Sequence, residues 1–230
     1  RAELINLLKK EFDVDPDKEA HDRFLSLEMI WPKNTLLRAY VLSPRLGQIS
    51  ADLLGVSAVR LYHDNVLAKQ AGCGRTPWHF DDHHFPLDTN DVVTAWVPAQ
   101  PTPIDMGPLS FAYPLNVHEL VNAVTFEKTG TGYDRGVSEV FKKNGVTVNE
   151  TPFELGEVSF HHNLNFHTAS RNRTSRSRVA LANTYFRDGA RVINNPTMVS
   201  GDWQKFMPNI NPGDVAASPL NPICWPVDDK

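Results

Sequence analysis

His79 and Asp81 stand one residue apart in Pro77-Trp78-His79-Phe80-Asp81-Asp82-His83-His84. On an extended strand, residues i and i+2 point to the same face. One imidazole and one carboxylate can therefore close on a single metal ion. A lone His-x-Asp carries little weight, since an ordinary hydrogen-bonded pair explains it too. Weight comes from a second stretch, Ser159 to Arg178, which holds His161, His162, His167 and Arg178. His79, Asp81 and His167 together offer two neutral imidazoles and a carboxylate. That set suits non-haem Fe(II) centres that keep positions open for a co-substrate and dioxygen. A closed structural zinc site would take four protein ligands, usually thiolates, and the nearby thiol is Cys73. Arg178 follows His167 across a turn at Ser170 to Ser175, which Asn172 shapes. If the flanking strands pair, its guanidinium enters the same space and can grip a carboxylate through two parallel charge-assisted bonds. A dicarboxylate co-substrate needs such a grip at its far end.

These residues require a frame of strands. The first quarter reads as helical cover over residues 1–55. Leu4, Ile5, Leu7, Leu8 and Phe12 have helical spacing, a second helix is expected over 18–29, and a third begins near Asn34. Ser43-Pro44 starts a further helix that Gly55 stops. From Val56 the character changes. Strands are predicted at Val59 to Tyr62, Val92 to Pro98, Gly107 to Tyr113, Val146 to Val148, Val158 to His161, Phe166 to Ser170 and Arg178 to Phe186. Residues 115–150 read as an insertion or lid with two short helices, near 116–124 and 134–143, around the Gly130 to Gly132 turn. Residues 191–230 read as a tail rich in Pro, Asn and Asp. The expected fold is mainly β: one domain over 1–230, a double-stranded β-helix (a jelly roll or cupin-like barrel) with N-terminal helical cover and a ligand site at its mouth.

The 230 residues carry a net charge of −4 and no long run of Lys and Arg, so neither nucleic acid nor a membrane surface is an expected partner. No apolar segment is long enough to span a bilayer. No signal peptide is recognised, although the sequence starts at Arg1 rather than Met. Two cysteines, Cys73 and Cys224, make no disulfide framework, and a cytoplasmic setting is expected. Oligomeric state is not legible.

The sequence resembles the phytanoyl-CoA dioxygenase (PhyH) family of Fe(II)/2-oxoglutarate oxygenases. The resemblance rests on Val59-Arg60-Leu61-Tyr62, Thr76 to Asp81, Val93 to Val97, Gly107-Pro108-Leu109 and His162 through Arg178 with its following strand to Tyr185. It implies iron on His79, Asp81 and His167, 2-oxoglutarate held by Arg178 beside Trp96, and dioxygen as oxidant. Members often have Gln where Phe80 stands, Gly-Ser-His where Pro114-Leu115-Asn116 stands, and Ser where Ala169 stands. Halogenating relatives replace the carboxylate with a small residue, so Asp81 points to oxygenation. The implied reaction oxidises a C–H bond of a small, largely apolar molecule and releases succinate and carbon dioxide. The alternatives are a family member that binds metal and ligand without turnover, and a cupin-type metal enzyme without a keto acid. The substrate is a CoA thioester, a carrier-bound molecule or a free one. The chain lacks a basic groove for CoA phosphates, and secondary metabolism is favoured.

Substrate contacts are assigned to Phe80, His84 and Tyr62. Phe80 and Tyr62, with Phe85 and Phe111, suit the barrel core equally well, as does Trp96. His83 and His84 are expected in the pocket wall rather than on the metal. His161 and His162 are expected to pack near it, and His161 shares the parity of His167. His21, His63 and His118 are expected to be surface or structural. Lys69 and Arg60 are alternative co-substrate contacts, and Cys73 is a loop residue. Arg171, Arg173 and Arg176 form a solvated turn.

Overall fold

The computed structural model describes residues 1–19, 22–127, 131–196 and 201–227. Among these, two antiparallel sheets face each other. The larger runs β1–β2–β9–β4–β7: β1 Phe24–Glu28, β2 Val59–Lys69, β9 Arg178–Arg187, β4 Val92–Pro98 and β7 Ser159–His162. The short strand β10, Ile223–Trp225, pairs with the start of β2. The smaller runs β3–β8–β5–β6: β3 Thr76–His79, β8 His167–Ala169, β5 Leu109–Tyr113 and β6 Thr147–Glu150. This is the double-stranded β-helix expected from the sequence.

Strand parity divides each sheet into an outer and an inner face. On the large sheet Leu25, Leu27, Leu61, Val66, Val93, Ala95, Val179, Leu181 and Tyr185 turn outward. They pack under α1 (Ala2–Phe12), α2 (Thr35–Val41) and α3 (Pro44–Leu54). Each well-buried Leu or Val in this layer contributes roughly 1.5–3 kcal/mol. The Tyr185 hydroxyl donates to the Val41 carbonyl at 2.8 Å and ties sheet to cover. Helix α2 begins where the sequence places it, with the Asn34 side chain accepting from Leu37 N at 3.0 Å. Helix α3 has Pro44 in its first turn and ends at Gly55, whose φ of 69° suits a residue without a Cβ. On the small sheet Ala112 and Phe166 turn outward against Val117, Tyr133, Val137 and Phe141. These last belong to α4 (Val117–Leu120) and α5 (Gly132–Asn144).

Three expectations change. The segment predicted as a second helix, 18–29, contains β1 instead; Phe-Leu-Ser-Leu-Glu alternates with period two, burying Leu25 and Leu27. Of the segment expected as an insertion or lid, α4 and α5 pack on the outer face of the small sheet and β6 is that sheet's edge strand. The tail contributes structure: β10 joins the large sheet, and Trp203, Phe206, Met207 and Ala216 form a cluster with Tyr62, Phe85 and Phe186. His21 and Gly130 lie outside the described residues. No helix among the described residues is long and apolar enough to cross a membrane.

Candidate active site

The inner faces enclose a cavity of about 520 Å³. His79 and His167 are directly opposite each other in the β3–β8 ladder, and their ring centroids are 4.2 Å apart. Cross-strand register therefore joins residues remote in sequence. After β3 the chain turns through a 3-10 segment, Asp82–His84. Asp81 N donates to the Asn163 carbonyl at 2.8 Å, and the Asn163 amide donates to Asp82 Oδ1 at 2.8 Å. This clamp fixes the Asp81 carboxylate above the histidine pair.

Each histidine has its Nδ1 on the carbonyl two residues earlier: His79 on Pro77 at 2.8 Å and His167 on Asn165 at 2.9 Å. With Nδ1 protonated and engaged, Nε2 carries the free lone pair. Both Nε2 atoms face Asp81 Oδ1, at 3.7 and 3.9 Å. One ligand atom from each of the three residues lies within 4.8 Å of the others, a group that could hold a metal ion. Burial lowers the pKa of both histidines, that of His167 to about 3, keeping the imidazoles neutral. Burial alone would raise the pKa of Asp81; the imidazoles of His167, His161 and His79 outweigh it and hold the carboxyl well below the usual range. Two neutral nitrogens and an ionised oxygen aimed at one point fit Fe(II) with coordination positions left open.

Arg178 opens β9 and is 2% exposed. Its Nη1 donates to the Gly107 carbonyl at 3.0 Å, and its guanidinium lies 5.2 Å from the Trp96 ring centre. Its Nε has no hydrogen-bond partner. Burial draws its pKa down to about 10, so it stays charged at neutral pH. A buried cation with an orphaned donor on a cavity wall fits an anionic ligand group. Gly107 permits this arrangement: its φ is +72°, and a Cβ there would come 2.2 Å from the Ser170 carbonyl oxygen.

The other sequence assignments divide. Tyr62 and His84 line the cavity, as does Phe85. Phe80 does not; it lies between His83 and His118, packed against the cluster beneath α4 and α5. Phe80 lies just past the end of β3, where its ring packs away from the cavity, so the assignment of Phe80 to substrate is corrected. His83 is outside this cavity, edging a small surface recess with Asp82 and Asp88. Lys69 and Arg60 serve structure. Lys69 Nζ donates to the carbonyls of Ala169 and Ser170 at 3.1 and 2.9 Å, and Arg60 pairs with Asp188 and the Asn221 carbonyl. Asn172 organises its turn, donating to Lys69, Gln70 and Arg176 carbonyls and accepting from Thr174.

Some lining residues escaped the sequence reading. His63, expected to be surface or structural, lines the cavity. The β2–β9 register shifts between Leu61 and His63, and this bulge brings Tyr62 and His63, consecutive residues, to the same side. Phe24, Ser26 and Glu28 of β1 and Lys205 and Phe206 of the tail complete the wall. The alternation in 24–28 was the available signal; nothing local marked the tail.

The sequence model of the family Phytanoyl-CoA dioxygenase (PhyH) matches residues 9–180. The chain belongs to that family. It is therefore a member of a family of 2-oxoglutarate-dependent non-haem iron oxygenases, and His79, Asp81 and His167 form a group that could hold the metal. No curated protein matches. Among solved structures, the non-haem alpha-ketoglutarate-dependent carbocyclase SnoK from nogalamycin biosynthesis aligns with a TM-score of 0.73 and 22% identity, over 96% of this chain and 85% of that one. The epimerase SnoN, in complex with Fe3+, alpha-ketoglutarate and nogalamycin RO, gives 0.70 and 20%, over 97% and 90%. EctD from S. alaskensis, with 2-oxoglutarate and 5-hydroxyectoine, gives 0.61 and 16%, over 96% and 81%. At these identities the likeness establishes the shared fold.

Proposed function

We propose that the chain oxidises a C–H bond of a small, largely apolar molecule, with iron on His79, Asp81 and His167 and the far carboxylate of 2-oxoglutarate on Arg178. The observation that carries this is the convergence of that triad and a buried, under-bonded arginine on one cavity. Bound iron and 2-oxoglutarate supply an oxidant strong enough to remove hydrogen from carbon, with succinate and carbon dioxide as co-products. The protein orients and encloses. Arg178, supported by Gly107 and stacked over Trp96, sets the direction in which the diacid lies. Asp81, unlike a small residue, would take the ligand position that a halide needs, which favours oxygenation over halogenation.

The substrate half of the cavity supports an apolar guest. Phe24, Tyr62, Leu67, Phe85 and Phe206 line it, with Ser26, Asn65, His63 and His84 as polar points. At the same wall Lys205 pairs with Glu28 at 2.6 Å, and among the described residues that line the cavity there is no unpaired basic cluster for CoA phosphates. A free or carrier-bound molecule of secondary metabolism fits better than a CoA thioester. The free thiols of Cys73 and Cys224 suit a cytoplasmic setting. Succinate should form in step with substrate loss in an assay with Fe(II) and 2-oxoglutarate, and His79→Ala should abolish it. Full turnover by that variant rejects the assignment.

A further inference from the structure

Beside Asp81 stands a third imidazole that the metal-ligand set leaves unused. His161 stands on β7, paired with Thr94 of β4, and its side chain faces inward with 5% exposure. Its Nε2 lies 3.4 Å from Asp81 Oδ2. The other oxygen, Oδ1, is the one nearest Nε2 of His79 and of His167. One carboxylate is thus divided: Oδ1 looks toward the two candidate ligands, and Oδ2 looks toward His161.

We propose that His161 is a positioning residue for Asp81, donating from Nε2–H to Oδ2 so that only Oδ1 is presented to the metal. This rests on the reading of Asp81 as a ligand. His161 Nδ1 is buried without a partner, which bears on the tautomer. With the proton on Nδ1, a buried donor would be orphaned and the Nε2 lone pair would oppose the carboxylate. With the proton on Nε2, the carboxylate gains a donor, and the orphan is an acceptor, the cheaper of the two. The separation exceeds that of a closed N–H···O bond, and closure by a few tenths of an ångström on metal loading is the expected change. A carboxylate with a free second oxygen can swing to bidentate ligation and fill a position this chemistry needs open. A donor on Oδ2 opposes that swing.

Glutamine and asparagine substitutions separate this role from simple packing. The amide nitrogen of glutamine can occupy the place of Nε2; that of asparagine falls nearer the place of Nδ1. Co(II) is titrated calorimetrically into metal-free wild type, His161→Gln, His161→Asn and Asp81→Ala, and each metal-free protein is also melted. His161→Gln is expected to bind Co(II) within about threefold of wild type, and His161→Asn to bind ~10–100-fold more weakly, with similar melting of the two metal-free variants. Wild-type affinity in His161→Asn overturns the proposal, and so does equal weakening in both variants. Wild-type Co(II) affinity in Asp81→Ala overturns the ligand assignment instead, and the positioning role falls with it.

Discussion

The two sheets contribute different halves of the site. The small sheet and the turn after it carry the candidate ligands: His79 on β3, His167 on β8, and Asp81 just beyond β3. The large sheet carries the groups that fit the organic partner: Arg178 on β9 and Trp96 on β4. The ligand half depends on one cross-strand register for its histidines and on the Asn163 clamp for Asp81, and its Nε2 lone pairs are aimed by backbone carbonyls two residues away. The co-substrate half depends on burial and on one carbonyl, that of Gly107. Damage to one half should therefore read out differently from damage to the other.

The largest effect is expected in the ligand half. His167→Ala should lower both turnover and metal affinity by more than the ~100-fold that losing an outer-shell partner costs. Calorimetric metal titration alongside succinate assays checks this, and unaltered metal affinity would break the comparison. Arg178→Ala should leave metal affinity close to wild type while raising KM for 2-oxoglutarate roughly ten- to a hundredfold, the equivalent of a charged hydrogen bond of about 1.5–3 kcal/mol. Initial rates over a range of 2-oxoglutarate concentrations measure this shift, and an unchanged KM removes Arg178 from the role.

The smallest effect concerns acid stability. Burial lowers the pKa of His63 from 6.5 to about 4. The unfolded chain takes up a proton below about pH 6.5, and the folded chain resists until about 4. Stability linked to this group is thus fully present above 6.5 and declines as pH falls toward 4. The slope is at most about 1.4 kcal/mol per pH unit. His63→Phe should flatten that part of the Tm–pH curve of the metal-free protein. An identical curve would show that His63 protonates as easily folded as unfolded.

Much of this frame was legible where local chemistry and fold agree. Ser43-Pro44 and Gly55 bracket α3 because the fit of proline to a first helical turn and the left-handed stop are local. Val92 to Pro98 is a strand in both readings because β-branched and aromatic residues continue through it. Period two pairs His79 with Asp81, yet β3 ends at His79 and the turn held by Asn163 brings Asp81 to the same point. Period two should have made β1 a strand, since Leu25 and Leu27 alternate. For Phe80, residue type misled: an aromatic beside ligands suggested substrate. His63 was hidden for another reason. Its direction is set by a bulge against β9, which depends on pairing and not on neighbours in sequence. The wall from Lys205 and Phe206 was hidden because a Pro- and Asn-rich segment does not announce which partners it will meet in space.

That last wall has a consequence for how such an oxygenase can diversify. Phe206 and Lys205 touch the space for the guest, yet they belong to neither sheet and hold none of the candidate ligands. Substitution of Phe206 or Lys205 is expected to alter which molecules are admitted while leaving the candidate ligands in place, whereas Trp203 and Met207 of the same segment are core and restrict how far it can vary.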